Sequence, residues 1–144
     1  MSNPLIGKML REVYVSGDRM ALKFVVDEGE EIIARCDADC CSYTWVEGVE
    51  MCRLPATVKE VEDIAMPEVG EPGKQGGKHH GGTYSVAFYG LKITTSRGHI
   101  VIDYRNDSNG YYGGSLSWPG DRYFYGGVHG QNDGTLANWT KQEE

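Results

Sequence analysis

Between residues 88 and 125 the chain gathers aromatic, arginine and glycine residues: Phe88, Tyr89, Arg97, Tyr104, Arg105, Asn109, Gly110, Tyr111, Tyr112, Gly113, Gly114, Trp118, Arg122 and the run Tyr123, Phe124, Tyr125. Aromatic faces stack on bases, an arginine fork holds a phosphate through paired hydrogen bonds, and glycine lets backbone approach a ligand closely. Together they are the groups that hold a nucleotide-like ligand. The expected ligand-binding residues are Phe88, Tyr89, Arg97, Arg105, Asn109, Gly110, Tyr111, Tyr112 and Arg122. The competing reading is that any one of these aromatics fills a core or covers a sheet face, so the cluster and not a single ring carries the expectation.

Catalytic signatures are missing from the sequence. It holds no phosphate loop of the G-x-x-x-x-G-K-[ST] kind, no G-x-G-x-x-G opening a helix, and no nucleophile with a base signature beside it. His79, His80, His99 and His129 stand apart from motif partners. Binding without turnover is therefore expected, with no catalytic residue and no cofactor; were the chain an enzyme, His99, His129 and Asp103 would be the first residues to test. Cys36, Cys40, Cys41 and Cys52 lack the C-x₂-C pairs of a zinc site, so buried reduced thiols are expected and no metal. Trp45, in the strand-like stretch after the vicinal cysteines, reads first as a packed core residue.

A length of 144 residues suits one domain. The formal charge of −7, from 14 Lys and Arg against 21 Asp and Glu, repels polyanions and argues against nucleic acid polymers. It leaves room for a small phosphate-bearing ligand, which one or two local arginines can hold. No run of about 18 apolar residues occurs, and the start MSNPLIGKML lacks the pattern of a signal peptide, so a cytoplasmic location without a membrane partner is expected.

The elements that must position these groups read mainly as strands. MLREVYV, MALKFVV, EIIAR and CSYTWVEG are β-branched and aromatic runs divided by turns at Ser16-Gly17-Asp18 and Asp27-Glu28-Gly29. In the first run, alternation places Leu10, Glu12 and Tyr14 on one face and Val13 and Val15 on the other. TYSVAFYGLKITTS and HIVIDYR flank a turn at Arg97-Gly98, and Asn109-Gly110 is the strongest short-range hairpin signal before SLSW. Residues 55–66 point locally to a short helix: Thr57 with Glu60 could form a capping box, and Val58, Val61 and Ile64 recur at helical spacing. Residues 67–82, rich in Gly and Pro, read as a flexible loop. The expected fold is thus a β-rich α+β domain over residues 1–144, a curved antiparallel sheet with at most one or two short helices, carrying a C-terminal aromatic and glycine extension at 118–144. Aromatic strands of this kind suggest a homo-oligomer.

Two segments carry a family resemblance: DCCSYTWVEGVE, preceded by the IGK…LKF…DEG hairpin, and FYGLKITTSRGHIVIDYRNDSNGYYGG. Together they resemble the type 1 Thoeris anti-defence proteins of bacteriophages over roughly residues 6–117, omitting the 67–82 loop. That resemblance implies a phage-encoded, oligomeric sponge in the host cytoplasm that binds a cyclic ADP-ribose isomer, or a cyclic oligonucleotide, and does not cleave it. The matched motif residues are Asp39, Cys40, Cys41, Ser108, Asn109, Gly110, Tyr111 and Tyr112. The chain departs from the pattern at IDYRN, where Asp103 takes the place of an expected cation, and in its tail from residue 118 onward. The resemblance also implies a strand over 55–66, against the local signals. Two other functions stay open beside the sponge: a protein-binding inhibitor or structural accessory factor using an aromatic patch or sheet edge, and an enzyme that cleaves such a signal.

Overall fold

The computed structural model describes residues 3–38, 43–66, 85–108, 114–121 and 137–144. They form nine strands: β1 (Met9–Val15), β2 (Ala21–Val26), β3 (Glu30–Ala38), β4 (Tyr43–Glu50), β5 (Ala56–Ala65), β6 (Ser85–Thr95), β7 (Gly98–Ser108), β8 (Gly114–Ser117) and β9 (Thr140–Lys141). Every pairing is antiparallel, in the order β4-β7-β6-β5-β1-β2-β3-β8, with β9 added to β1. One edge of β1 is shared: Met9 and Leu10 face β5, while Tyr14 and Val15 face β9.

Period-two patterning builds the sheet. In β2, Leu22, Phe24 and Val26 are fully buried while Lys23 and Val25 are half-buried, as expected of a strand with one face on a core. The same alternation in β7 buries Ile100, Ile102 and Tyr104. These side chains meet Leu10, Val13 and Ile93 in a single apolar cluster. The sheet curls far enough to bring its two ends together. Thr44 Oγ1 in β4 donates to the Asp37 carbonyl of β3 at 2.9 Å. Val46 N–H donates to the Arg19 carbonyl at 2.8 Å, and Arg19 Nε returns a bond to the Val46 carbonyl at 2.7 Å. Among the described residues the ends are thus stitched by side chains and single backbone bonds and share no ladder, so the sheet is open.

Among the described residues there is no helix, and so none long and apolar enough to cross a membrane. The segment 55–66, where local signals favour a helix and the resemblance implies a strand, is strand β5. A bulge between Val58 and Glu60 explains the misleading spacing, because the extra residue lets Val58 and Val61, three apart, both pair with inward-facing partners, Thr95 and Ile93. Thr57 N–H is not in a capping box; it donates to Ser96 Oγ at 3.0 Å. A similar irregularity between Leu10 and Glu12 corrects the facing expected for β1: Leu10 is buried with Val13 and Val15, not turned out with Glu12 and Tyr14. Asn109 and Gly110 lie outside the described residues, but the strands flanking them are not a hairpin, since β7 lies between β4 and β6 while β8 pairs with β3.

Gly90 shows how closely β5 and β6 are covered. A Cβ there would stand 2.6 Å from Met66 Cγ, 2.7 Å from its Sδ and 2.8 Å from Ile64 Cγ1. The methionine can swing away, but the β-branched Ile64 is stiff at χ1, so Gly90→Ala is expected to destabilise by about 1–3 kcal/mol. Adding Met66→Ala should return part of that loss in urea unfolding; a Gly90→Ala variant with the same cost in both backgrounds would contradict the contact.

Candidate functional site

Residues directly opposite one another in an antiparallel ladder share a face. Register across β6, β7 and β4 aligns Val86–Asp107–Tyr43 and, next to it, Phe88–Arg105–Trp45, with Gly90–Asp103–Gly48 following. These rows form the outer face, turned away from the main apolar cluster, although Val86, Asp107 and Trp45 on it are themselves buried. The intervening rows, Ala87–Asn106–Thr44 and Tyr89–Tyr104–Val46, face the interior.

On the outer face the Arg105 guanidinium carbon lies 4.8 Å from the centre of the Phe88 ring. Its Nε and one terminal nitrogen donate to the two Asp103 carboxylate oxygens at 3.2 and 3.0 Å. The other terminal nitrogen is 3.9 Å from Glu47 Oε1, too long for a hydrogen bond. Hydrogen bonding to Asp103, opposed by partial burial, tightens Arg105's hold on its proton beyond that of an ordinary guanidinium. Trp45 Nε1 donates to Glu47 Oε1 at 2.9 Å, and the Tyr43 and Trp45 rings stack with centres 5.9 Å apart. This face therefore offers a cation, aromatic rings and two carboxylates within one patch. The rings can stack on a base, the guanidinium can meet a phosphate, and the carboxylates can accept from ribose hydroxyls.

Of the nine residues expected to bind ligand, Phe88 and Arg105 are brought together here. Tyr89 is on the opposite face, stacked on Tyr104 with ring centres 5.2 Å apart and packed against the core, which is the packing role weighed for single aromatics. Arg97 sits exposed in the β6–β7 turn, and the seven steps of strand rise from Gly98 to Arg105 put that turn about 24 Å from Arg105. Those two arginines cannot grip one phosphate. Asn109, Gly110, Tyr111, Tyr112 and Arg122 lie outside the described residues, as do Asp39, Cys40 and Cys41. Three members of the patch, Tyr43, Trp45 and Glu47, were not among the expected ligand residues. Their i, i+2, i+4 spacing in a strand was the signal that could have placed them on one face.

The interior face opens beside β8, on the seam end of the sheet and facing β5, β6 and β7, into a cleft of about 240 Å³, lined in part by Val61, Asp63, Leu91, Tyr104, Leu116 and Trp118. Burial, with the Asp63 carboxylate adding to it, holds the Tyr104 phenol in its neutral form well above the usual range. No Lys or Arg lines this cleft among the described residues, so it suits an uncharged or ring-bearing group better than a phosphate. Cys36 is fully buried, which pushes its thiol far up and makes it inert, while Cys52 Sγ rests 3.5 Å from Thr95 Oγ1. Among the described residues no three His, Cys, Asp or Glu side chains converge as a metal site would need.

Curled antiparallel sheet, bulged strands and a mixed aromatic and charged outer face define an all-β domain over the described residues. Residues 3–118 match the family model for a Domain of unknown function (DUF7448), and the chain belongs to that family. No curated protein and no solved structure gives a significant match. The matched segment ends at Trp118, so β9 and the residues around it stand outside it.

Proposed function

We propose that this protein is a non-catalytic sponge that binds and sequesters a cyclic nucleotide signal, a cyclic ADP-ribose isomer or a small cyclic oligonucleotide, as a homo-oligomer in the cytoplasm of a phage-infected host. The observation that supports this most is Arg105 held between the Phe88 ring and the Trp45 row, with Asp103 and Glu47 at its sides. Asp103 engages one side of the fork and leaves the other side loosely placed against Glu47, so a phosphate can approach without breaking the half-buried pair. A base stacks along the half-buried Phe88 and Tyr43, and the carboxylates take the ribose hydroxyls. The sequence resemblance to the Thoeris anti-defence proteins gives the same ligand class.

The test is a thermal-unfolding and calorimetric panel of cyclic nucleotides against wild type and Arg105→Ala. A true ligand at 100 times its Kd is expected to add about 2.7 kcal/mol of stability. Loss of one charge-assisted phosphate contact in Arg105→Ala should weaken binding by about 1.5–3 kcal/mol, roughly 10- to 100-fold, with Arg105→Lys falling between. Ligand recovered after heat denaturation should be intact. No stabilisation by any member of the panel, or equal affinity in Arg105→Ala, would defeat the proposal; loss of ligand beyond one equivalent per site would replace it with an enzyme.

A further inference from the structure

Arg97, expected to bind ligand, sits far from the Arg105 face but not alone. It lines an open cleft of about 500 Å³ with Arg53 and Glu144. Arg53 follows β4 and Arg97 occupies the β6–β7 turn, so two distant stretches of chain bring guanidinium groups to one place. Both are exposed, and among the described residues neither makes an ion pair. In a chain of net charge −7 with 21 acidic residues, two arginines left unneutralised at one cleft go against the overall balance.

Their backbones are also held in place. The buried Thr95 hydroxyl donates to the Gly98 carbonyl at 2.9 Å and accepts from Arg97 N–H at 3.1 Å, which fixes the turn. The same oxygen touches Cys52 Sγ at 3.5 Å, and that sulfur lies 3.6 Å from the Arg53 carbonyl. One buried contact thus ties both arginine-bearing segments together before any ligand arrives, the condition under which an anion site loses least to ordering. A neighbouring cleft of about 240 Å³ shares Arg53 and Glu144 and has a mixed wall, with Met51 and Leu54 beside Arg11 and Lys141 and the acidic Glu12 and Glu143.

We infer that Arg53 and Arg97 form an anion site for the phosphate groups of a small molecule, with the Glu144 carboxylate as a built-in competitor at its rim. The site is separate from the Arg105 face and does not depend on the cyclic nucleotide reading. Two guanidiniums suit a diphosphate, whose adjacent anionic centres can each take one fork, and the chain's overall negative charge disfavours a polymer.

The probe is inorganic pyrophosphate, titrated into the full chain by calorimetry while the arginine Nε–Hε resonances are followed by NMR. Saturable binding that weakens with added salt is expected, moving the Arg53 and Arg97 signals. Arg53→Ala and Arg97→Ala should each weaken it about tenfold, and Glu144→Gln should tighten it about threefold. The Arg53 and Arg97 signals should move along one shared saturation curve, distinct from any movement of the Arg105 Nε–Hε signal, which separates this site from the proposed nucleotide face. The fold of each variant is checked by circular dichroism, and the two cleft arginines are exposed. Absence of saturable binding, or undiminished binding in the Arg53→Ala/Arg97→Ala double variant, overturns the inference. So does tighter binding of a single-stranded oligonucleotide through the same two arginines, which would assign the cleft to a polymer.

Discussion

Gly114→Ala is expected to remove about 3–5 kcal/mol of stability, a large share of the roughly 5–15 kcal/mol that holds a domain of this size folded. Gly114 opens β8 where the two ends of the curled sheet meet. A Cβ there would run into Thr44 Oγ1 and lie 2.9 Å from Asn106 Nδ2 and 3.1 Å from the Asp37 carbonyl oxygen. Unlike the methionine over Gly90, none of these atoms can simply swing into solvent. Thr44 and Asn106 are wholly buried, and the Thr44 hydroxyl donates to Asp37 while accepting from Asn106, each at 2.9 Å. Displacing it breaks both bonds and leaves buried polar groups without their partners, so overpacking and lost hydrogen bonding add. Urea unfolding measures the loss. Thr44→Ala in the same chain removes the clashing oxygen, so the double variant should be more stable than Gly114→Ala alone. A single variant within about 0.5 kcal/mol of wild type would mean that the seam is looser than these distances imply.

That seam was the part of the fold least legible in the sequence. Strand positions were readable because β-branched and aromatic runs alternate and stop at Gly or Asp: MLREVYV coincides with β1, and HIVIDYR lies within β7. What failed were the places where one extra residue breaks the alternation. In β5 the bulge after Val58 gives inward residues a spacing of three, which periodicity reads as helix, and in β1 the irregularity after Leu10 reverses its expected face. Long-range order was hidden as well. Asn109-Gly110 carries the local chemistry of a hairpin, yet β8 pairs with β3, a choice set by burial and by the Thr44–Asp37–Asn106 contacts, which no local rule reports.

The site was legible in composition and only partly in geometry. Phe88 and Arg105 were expected near one ligand, and register makes them direct neighbours. Tyr89 and Arg97 had the same residue types and the same claim. One turns inward because it is a single residue along the strand from Phe88, and the other is carried to the far end of the β6–β7 hairpin. Residue type names a possible chemistry, whereas strand parity and distance along the hairpin decide which groups can share it. Trp45 makes the point in reverse: it is 6% exposed yet lies on the outer face, apart from the main apolar cluster.

Phe24→Ala should have an effect comparable to that of the seam variant, by a different mechanism. Phe24 is fully buried in β2, opposite Val13 of β1 and Ile32 of β3, so its ring fills the inward row of three adjacent strands. It also stacks on Trp118, with ring centres 5.4 Å apart and planes 24° from parallel. Truncation removes the transfer free energy of the ring and leaves a cavity among strands whose ladders limit collapse, which for Phe→Ala costs about 3–5 kcal/mol. Phe24→Leu keeps most of the volume and should lose much less. Because Trp118 follows directly on the short strand β8 and lines the seam cleft, loss of its stacking partner should be felt there first. In a chain with Trp45 and Trp139 replaced by phenylalanine, the remaining Trp118 emission should shift to the red in Phe24→Ala before global unfolding begins. A double-mutant cycle with Trp118→Leu should give a coupling of about 0.5–1.5 kcal/mol for the ring pair beyond simple area burial. If the two changes are additive and the emission does not move, Trp118 is held by β3 and the Asp121 carboxylate that accepts from its backbone N–H at 2.7 Å, and the stack does not anchor this end of the sheet.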